Sequence, residues 1–73
     1  MTKEQIMQTL KKDGNVYTVE FVNQMMLYAD QIRFDYRNAV ISLYNKDRTG
    51  GYRVVVATHI PIESVYRIGV YKC

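Results

Sequence analysis

The chain has 73 residues, which suffices for one domain with a single small core. One cysteine and one histidine exclude an intrachain disulfide and a four-ligand zinc site. Ten lysines and arginines against seven acidic residues give a net charge of +3, and these charges are interspersed along the chain. Because a core of this size is marginal and lacks covalent or metal support, we expect a homo-oligomer or a subunit of a larger assembly.

Neither a membrane span nor an enzyme is indicated by the sequence. No apolar run approaches the roughly 20 residues that cross a bilayer, and no charged leader with an apolar core opens the chain. The carboxylates lie in different segments, and no nucleophile elbow, phosphate-binding loop or dinucleotide fingerprint occurs. We therefore expect a cytoplasmic protein with no membrane contact, no catalytic residues, no cofactor and no metal.

The first element predicted is a helix over residues 3–12. Thr2 and Gln5 have the spacing of a capping box, in which each residue's side chain bonds the other's backbone amide. Apolar residues then recur at helical spacing. Gly14 is suited to end the helix in a left-handed conformation.

Beyond Gly14 the apolar residues alternate with a period of two, which is typical of strands. The polar segment 45–51 ends in Gly50-Gly51 and predicts a hairpin tip. Pro61 cannot donate to a sheet, so strand pairing is expected to stop there. The sequence predicts five strands, over residues 16–22, 25–36, 39–44, 52–59 and 65–71.

These elements predict one α+β domain, mainly β, over residues 1–73: an N-terminal helix and a small five-stranded antiparallel barrel. Four segments carry a resemblance to a known family: VEFVN at 19–23, QIRFD at 31–35, VISL at 40–43 and IPIESV at 60–65. With them the chain resembles the Sm-like family, which includes the Sm and LSm proteins and the bacterial RNA chaperone Hfq. The resemblance implies a closed barrel, ring assembly and RNA binding. An SH3-like barrel is the structural alternative.

Tyr36 and Arg37 are the strongest candidates for a binding site. They follow the Phe-Asp pair at 34–35, where the resemblance implies RNA contact. An exposed tyrosine beside a cation suits a nucleobase and its phosphate, as in RNA, single-stranded nucleic acid or a nucleotide. Arg33 and His59 are the neighbouring candidates. The alternative is that Tyr36 packs inside the barrel and Arg37 is merely solvated.

A protein-interaction module is the second functional hypothesis. The run Met25-Met26-Leu27-Tyr28 and the apolar side of the helix are surfaces that a partner chain can bind, because methionine is adaptable. Such surfaces are expected of a small phage or mobile-element protein that docks on a host protein and modulates it. Core packing is the alternative role for the same residues.

Overall fold

The computed structural model describes residues 1–47 and 53–73. In this part of the chain one α-helix precedes six strands, so the fold is α+β and mainly β, as the sequence predicts. The strands form two antiparallel sheets, with the orders β2-β1-β6 and β3-β4-β5. The elements are α1 (Lys3–Leu10), β1 (Val16–Phe21), β2 (Met26–Ala29), β3 (Gln31–Asp35), β4 (Val40–Lys46), β5 (Arg53–Pro61), a 3₁₀ helix (Ile62–Ser64) and β6 (Val65–Tyr71).

The capping box predicted at the start of helix α1 is confirmed. The Gln5 amide donates to Thr2 Oγ1 at 3.2 Å, and the Thr2 amide donates to Gln5 Oε1 at 2.9 Å. The helix ends at Leu10, two residues before the predicted end. The Lys12 amide still donates to the Thr9 carbonyl at 3.2 Å, so one further turn follows the helix.

Gly14 is required for a different reason from the one predicted. Its φ is not in the left-handed region, so the prediction of a left-handed helix end is wrong. The Asn15 amide donates to the Tyr71 carbonyl at 2.9 Å, which brings Gly14 against strand β6. A Cβ at Gly14 would clash with Val70 Cγ1 and lie 2.9 Å from the Tyr71 carbonyl oxygen. The glycine is needed for close approach of two backbones.

The long second strand predicted over residues 25–36 is two strands, because Asp30 turns the chain from one sheet to the other. Before this residue, β2 pairs with β1; after it, β3 pairs with β4. The Asp30 amide donates to the Tyr44 carbonyl at 3.0 Å and lies 3.2 Å from Asn45 Oδ1. The Lys46 amide donates to Asp30 Oδ2 at 2.8 Å. These bonds fix the bend.

The described residues do not form the predicted closed barrel of five strands. Their strands make two separate three-stranded sheets. The 3₁₀ helix Ile62–Ser64 carries the chain from β5 in one sheet to β6 in the other, where β6 pairs with β1. Within the described residues, β5 and β6 therefore each have one edge without a strand neighbour, and the sheets stay open.

Strand β5 extends to Pro61, two residues past the predicted strand over 52–59. Ile60 pairs with Ile41 and Ala57 with Leu43, so β5 holds one residue more than β4 between these pairs. Such a bulge increases the local twist of the strand. His59 lies in this bulge with a φ of 56°.

The remaining strand predictions agree closely with the structure. The last strand has the predicted bounds of 65–71, and the first ends one residue early, at Phe21. The third, predicted over 39–44, begins one residue later because Ala39 lies in the preceding turn with a φ of 55°. The hairpin tip predicted at Gly50-Gly51 lies outside the described residues.

The core lies between α1 and the inner faces of both sheets. Val19 is buried in β1 and Ile41 and Leu43 are buried in β4, whereas β3 and β5 contribute only partly buried residues. Among the described residues, no helix is long and apolar enough to cross a lipid bilayer. The buried apolar residues are Ile6, Val19, Ala29, Ile41, Leu43, Ile62, Val65 and Ile68.

Gly14→Ala is predicted to lower the free energy of unfolding by about 1–3 kcal/mol, because the new Cβ overpacks against a backbone carbonyl that accepts a hydrogen bond. Urea denaturation followed by circular dichroism measures this. Gly69→Ala is the matched control, since the atoms nearest to its Cβ would belong to the side chains of Thr18 and Tyr71 and not to the backbone. A Gly14→Ala loss no larger than that of the control contradicts the assigned role.

Candidate nucleic-acid interface

Tyr36 is the first residue of the turn that follows strand β3. The residue is 52% exposed, so it is not packed inside the fold. The ring meets Phe34 in an edge-to-face arrangement, with 5.8 Å between centroids and an interplanar angle of 67°. This is a favourable geometry for two aromatic rings, and it orients Tyr36 while leaving much of it open to solvent.

Helix α1 supplies the other side of the site. The Lys3 ammonium nitrogen lies 4.5 Å from the centroid of the Tyr36 ring, which is a cation–π contact. Met7 lies one helical turn further on, on the same side of α1. Met7, Phe34 and Tyr36 together line an apolar hollow of about 460 Å³. We call Lys3, Met7, Phe34 and Tyr36 the Tyr36 surface.

The turn that carries Tyr36 is held by Asp35 and Asn38. The Asn38 side chain donates to Asp35 Oδ2 at 2.7 Å, and the Asn38 amide donates to Oδ1 at 3.1 Å. These two hydrogen bonds are the main cause of a lowered pKa of Asp35, and the charge of His59 contributes less. The ionised carboxylate is therefore the form that closes the turn.

The four predicted site residues do not form one cluster. Tyr36 faces helix α1, and Arg37 is exposed in the same turn. Arg33 is exposed on β3, and strand alternation places it on the face opposite Phe34, beside Ser42 of β4. His59 is exposed in the bulge of β5 and influences Asp35 electrostatically. Arg33 and His59 thus belong to the outer face of the β3-β4-β5 sheet.

Two contributors to the Tyr36 surface were missed by the sequence reasoning. Met7 was assigned to the apolar side of the helix as a group, and Lys3 was not singled out at all. Their spacing of four residues indicates a shared helix face. Nothing in the sequence indicates which strand this face meets, because that contact joins segments about 30 residues apart.

A second exposed surface lies on the outer face of the β2-β1-β6 sheet. Met26 and Tyr28 are exposed on β2, and Tyr71 is exposed on β6. The Tyr71 ring lies over Gly69, which has no side chain to obstruct it. These residues border a groove of about 430 Å³ that Thr18 and Arg67 also line.

The lowered pKa of Asp35 predicts a pH-dependent contribution to stability. Since the pKa is below its ordinary value of 3.8 in the folded chain, the stabilisation is complete above that value and is lost as the pH falls through the lowered pKa. Asp35→Asn is therefore expected to be less stable than the wild type at neutral pH, and the difference should shrink as the pH falls below about 4. Urea denaturation across this pH range measures it.

Glu63→Gln is the control for the Asp35 prediction, because it removes one negative charge from another exposed site. A smaller loss of stability is expected for this variant. A difference between Asp35→Asn and wild type that stays constant through acidic pH would show that ionised Asp35 does not hold the turn.

Comparison of the chain with protein-family models, with curated proteins and with solved structures found no match. The assignment of a function therefore depends on the geometry of the exposed surfaces.

Proposed function

We propose that this protein binds RNA, other single-stranded nucleic acid or a nucleotide at the Tyr36 surface. The observation that carries the proposal is the half-exposed Tyr36 ring, fixed by Phe34 beside an apolar hollow and accompanied by the Lys3 ammonium. Such a surface offers a base the part of the Tyr36 ring that Lys3 does not cover, and it offers a cation to the phosphate. No reaction is assigned to it, and the protein is proposed to be non-enzymatic.

The energetics favour a base as the ligand. Stacking of one base on an aromatic side chain contributes about 1–3 kcal/mol, whatever the base. The net charge of +3 adds a general attraction for phosphates. Two of the cations are already paired, Arg67 with Glu20 and Lys72 with Asp13, each at 3.0 Å. The exposed Arg37, adjacent to Tyr36, is the next cation available to the ligand.

Arg33 and His59 are proposed to contact the backbone of a longer strand. Both are exposed on the outer face of the β3-β4-β5 sheet. The turn that carries Tyr36 connects β3 with β4 of this sheet. A single strand that crosses this face from the Tyr36 surface is proposed to contact Arg33. This role does not require a base to stack there.

Membership of the Sm-like family remains our proposal. The order of one helix, a bent pair of strands around Asp30 and a short 3₁₀ helix before the last strand supports it. The resemblance implies RNA binding and ring assembly, and we propose that this chain is a cytoplasmic homo-oligomer. Among the described residues, the outer edges of β5 and β6 have no strand neighbour, which supports strand pairing between copies.

Tyr36→Ala is predicted to weaken binding of a ten-nucleotide single strand by about tenfold or more, because one stacked base is lost. Fluorescence polarisation at low salt measures the affinity. Tyr28→Ala is the matched control, since Tyr28 is 64% exposed but lies on the other sheet. Equal affinities of the two variants would refute the Tyr36 surface as the binding site.

The homo-oligomer has its own test at strand β5. Val55 is 57% exposed and lies on β5, whose outer edge has no strand neighbour among the described residues. A lysine there resists pairing with another chain, because charged side chains protect strand edges. Val55→Lys is expected to reduce the mass found by light scattering from that of an oligomer to that of one chain. A wild-type protein that is already monomeric contradicts the proposal.

A protein-interaction module is the alternative function, and the outer face of the β2-β1-β6 sheet favours it. Exposed Met26, Tyr28 and Tyr71 around one groove are the residue types enriched in protein interfaces. A host protein is the proposed partner in that case. A stoichiometric partner retained after nuclease treatment, and lost in Tyr28→Ala, would favour this function over nucleic-acid binding.

A further inference from the structure

Lys3 has an unusual position for a lysine at the beginning of a helix. Its ammonium nitrogen is 4.5 Å from the centroid of the Tyr36 ring, instead of extending freely into water. The contact joins helix α1 to the turn after β3, so it fixes a positive charge within the Tyr36 surface. Charges that are fixed before a ligand arrives bind it at a lower entropic cost than flexible ones.

The polar and apolar parts of the Tyr36 surface are adjacent. Met7, Phe34 and Tyr36 line the apolar hollow, and Lys3 lies one helical turn from Met7. A flat apolar group in the hollow therefore has an ammonium group at its margin. A nucleotide has this combination of parts, since its base is flat and its phosphate is anionic.

We infer that Lys3 is a specificity-determining residue, which selects a base that carries a phosphate over the same base without one. The inference rests on the proposed function of the Tyr36 surface and specifies its ligand as one nucleoside monophosphate unit. The base occupies the hollow beside Tyr36, and the phosphate binds the Lys3 ammonium. The unit is either a free nucleotide or one residue of a single strand.

The charge of Lys3 is complementary to the phosphate of this ligand. An aromatic side chain of a peptide also fits an apolar hollow, but it has no anion at its margin. An isolated phosphate finds one ammonium, without the apolar contact. Neither of these ligands uses both halves of the surface.

The test compares adenosine with adenosine 5′-monophosphate by calorimetry on the full chain at low salt. The wild type is expected to bind the monophosphate more tightly. Lys3→Gln is expected to weaken its binding by about three- to fivefold, in the range of one exposed ionic contact, and to leave adenosine unaffected. Lys3→Arg should behave like the wild type, because arginine keeps the charge and also binds over aromatic rings.

Lys12→Gln is the matched control. It removes the same charge just beyond the other end of α1, so it reproduces any effect of net charge. This variant should bind both probes as the wild type does. Equal weakening by Lys3→Gln and Lys12→Gln would overturn the inference, and so would equal affinity of the wild type for adenosine and its monophosphate.

A ten-nucleotide adenylate strand distinguishes the two sources of the ligand. If the unit lies within a strand, Lys3→Gln should reduce the slope of log affinity against log salt by about one, because one phosphate contact is lost. If only the free monophosphate responds to Lys3→Gln, a free nucleotide is the ligand. If neither probe responds, the inference fails.

Failure of the inference can be told from failure of the proposed function. Should Tyr36→Ala leave binding of every probe unchanged, the Tyr36 surface is not the site. Should Tyr36→Ala weaken binding while Lys3→Gln behaves like Lys12→Gln, the surface binds a base and Lys3 has no part in selecting the phosphate. Thermal melts of each variant verify that the fold is retained.

Discussion

The bend at Asp30 is the constraint on which the arrangement of both sheets depends. A continuous strand from Met26 to Asp35 would place β2 and β3 in a single plane, with no enclosed space for a core. Instead, the amide and carboxylate of Asp30 bond the end of β4, and the chain turns at that residue. The inner faces of two small sheets then converge on Val19 and Leu43, which are fully buried.

The candidate site is a consequence of this bend. Strand β3 leaves Asp30 in a direction that carries Phe34 and Tyr36 to helix α1. The capping box fixes where that helix begins, so Lys3 is one residue past a defined N-cap. The Asp35–Asn38 hydrogen bonds then close the turn behind Tyr36. The bend, the capping box and the Asp35–Asn38 hydrogen bonds thus position the exposed Tyr36 ring. None of these features is itself a binding group.

Backbone strain is concentrated at the connections of the fold. Gln24, Ala39 and His59 all have positive φ, although none is a glycine. The first two lie in turns, and His59 lies in the bulge of β5. Conformations of this kind persist only where surrounding contacts impose them. Here the pairing of β1 with β2 imposes the conformation of Gln24, and the pairing of β4 with both β3 and β5 imposes those of Ala39 and His59.

The sequence by itself determined the elements that local chemistry controls. The capping box at Thr2, the alternation around Val19 and the bounds of β6 depend on neighbouring residues, and they could be predicted. The division at Asp30 could not, because it depends on bonds to residues about 15 positions away. The role of Gly14 could not be predicted for the same reason, because the residues next to it in space, Val70 and Tyr71, lie far away in the sequence.

The residues of the candidate site also divide into those that the sequence could predict and those that it could not. Tyr36 and Arg37 could be selected from the sequence, because an aromatic residue next to a cation at a strand end is a local pattern. Lys3 and Met7 could not be selected, and Arg33 and His59 were grouped with Tyr36 although they lie on another face. Only the tertiary structure decided these placements, because the approach of Lys3 and Met7 to Phe34 and Tyr36 is long-range and no local pattern encodes it.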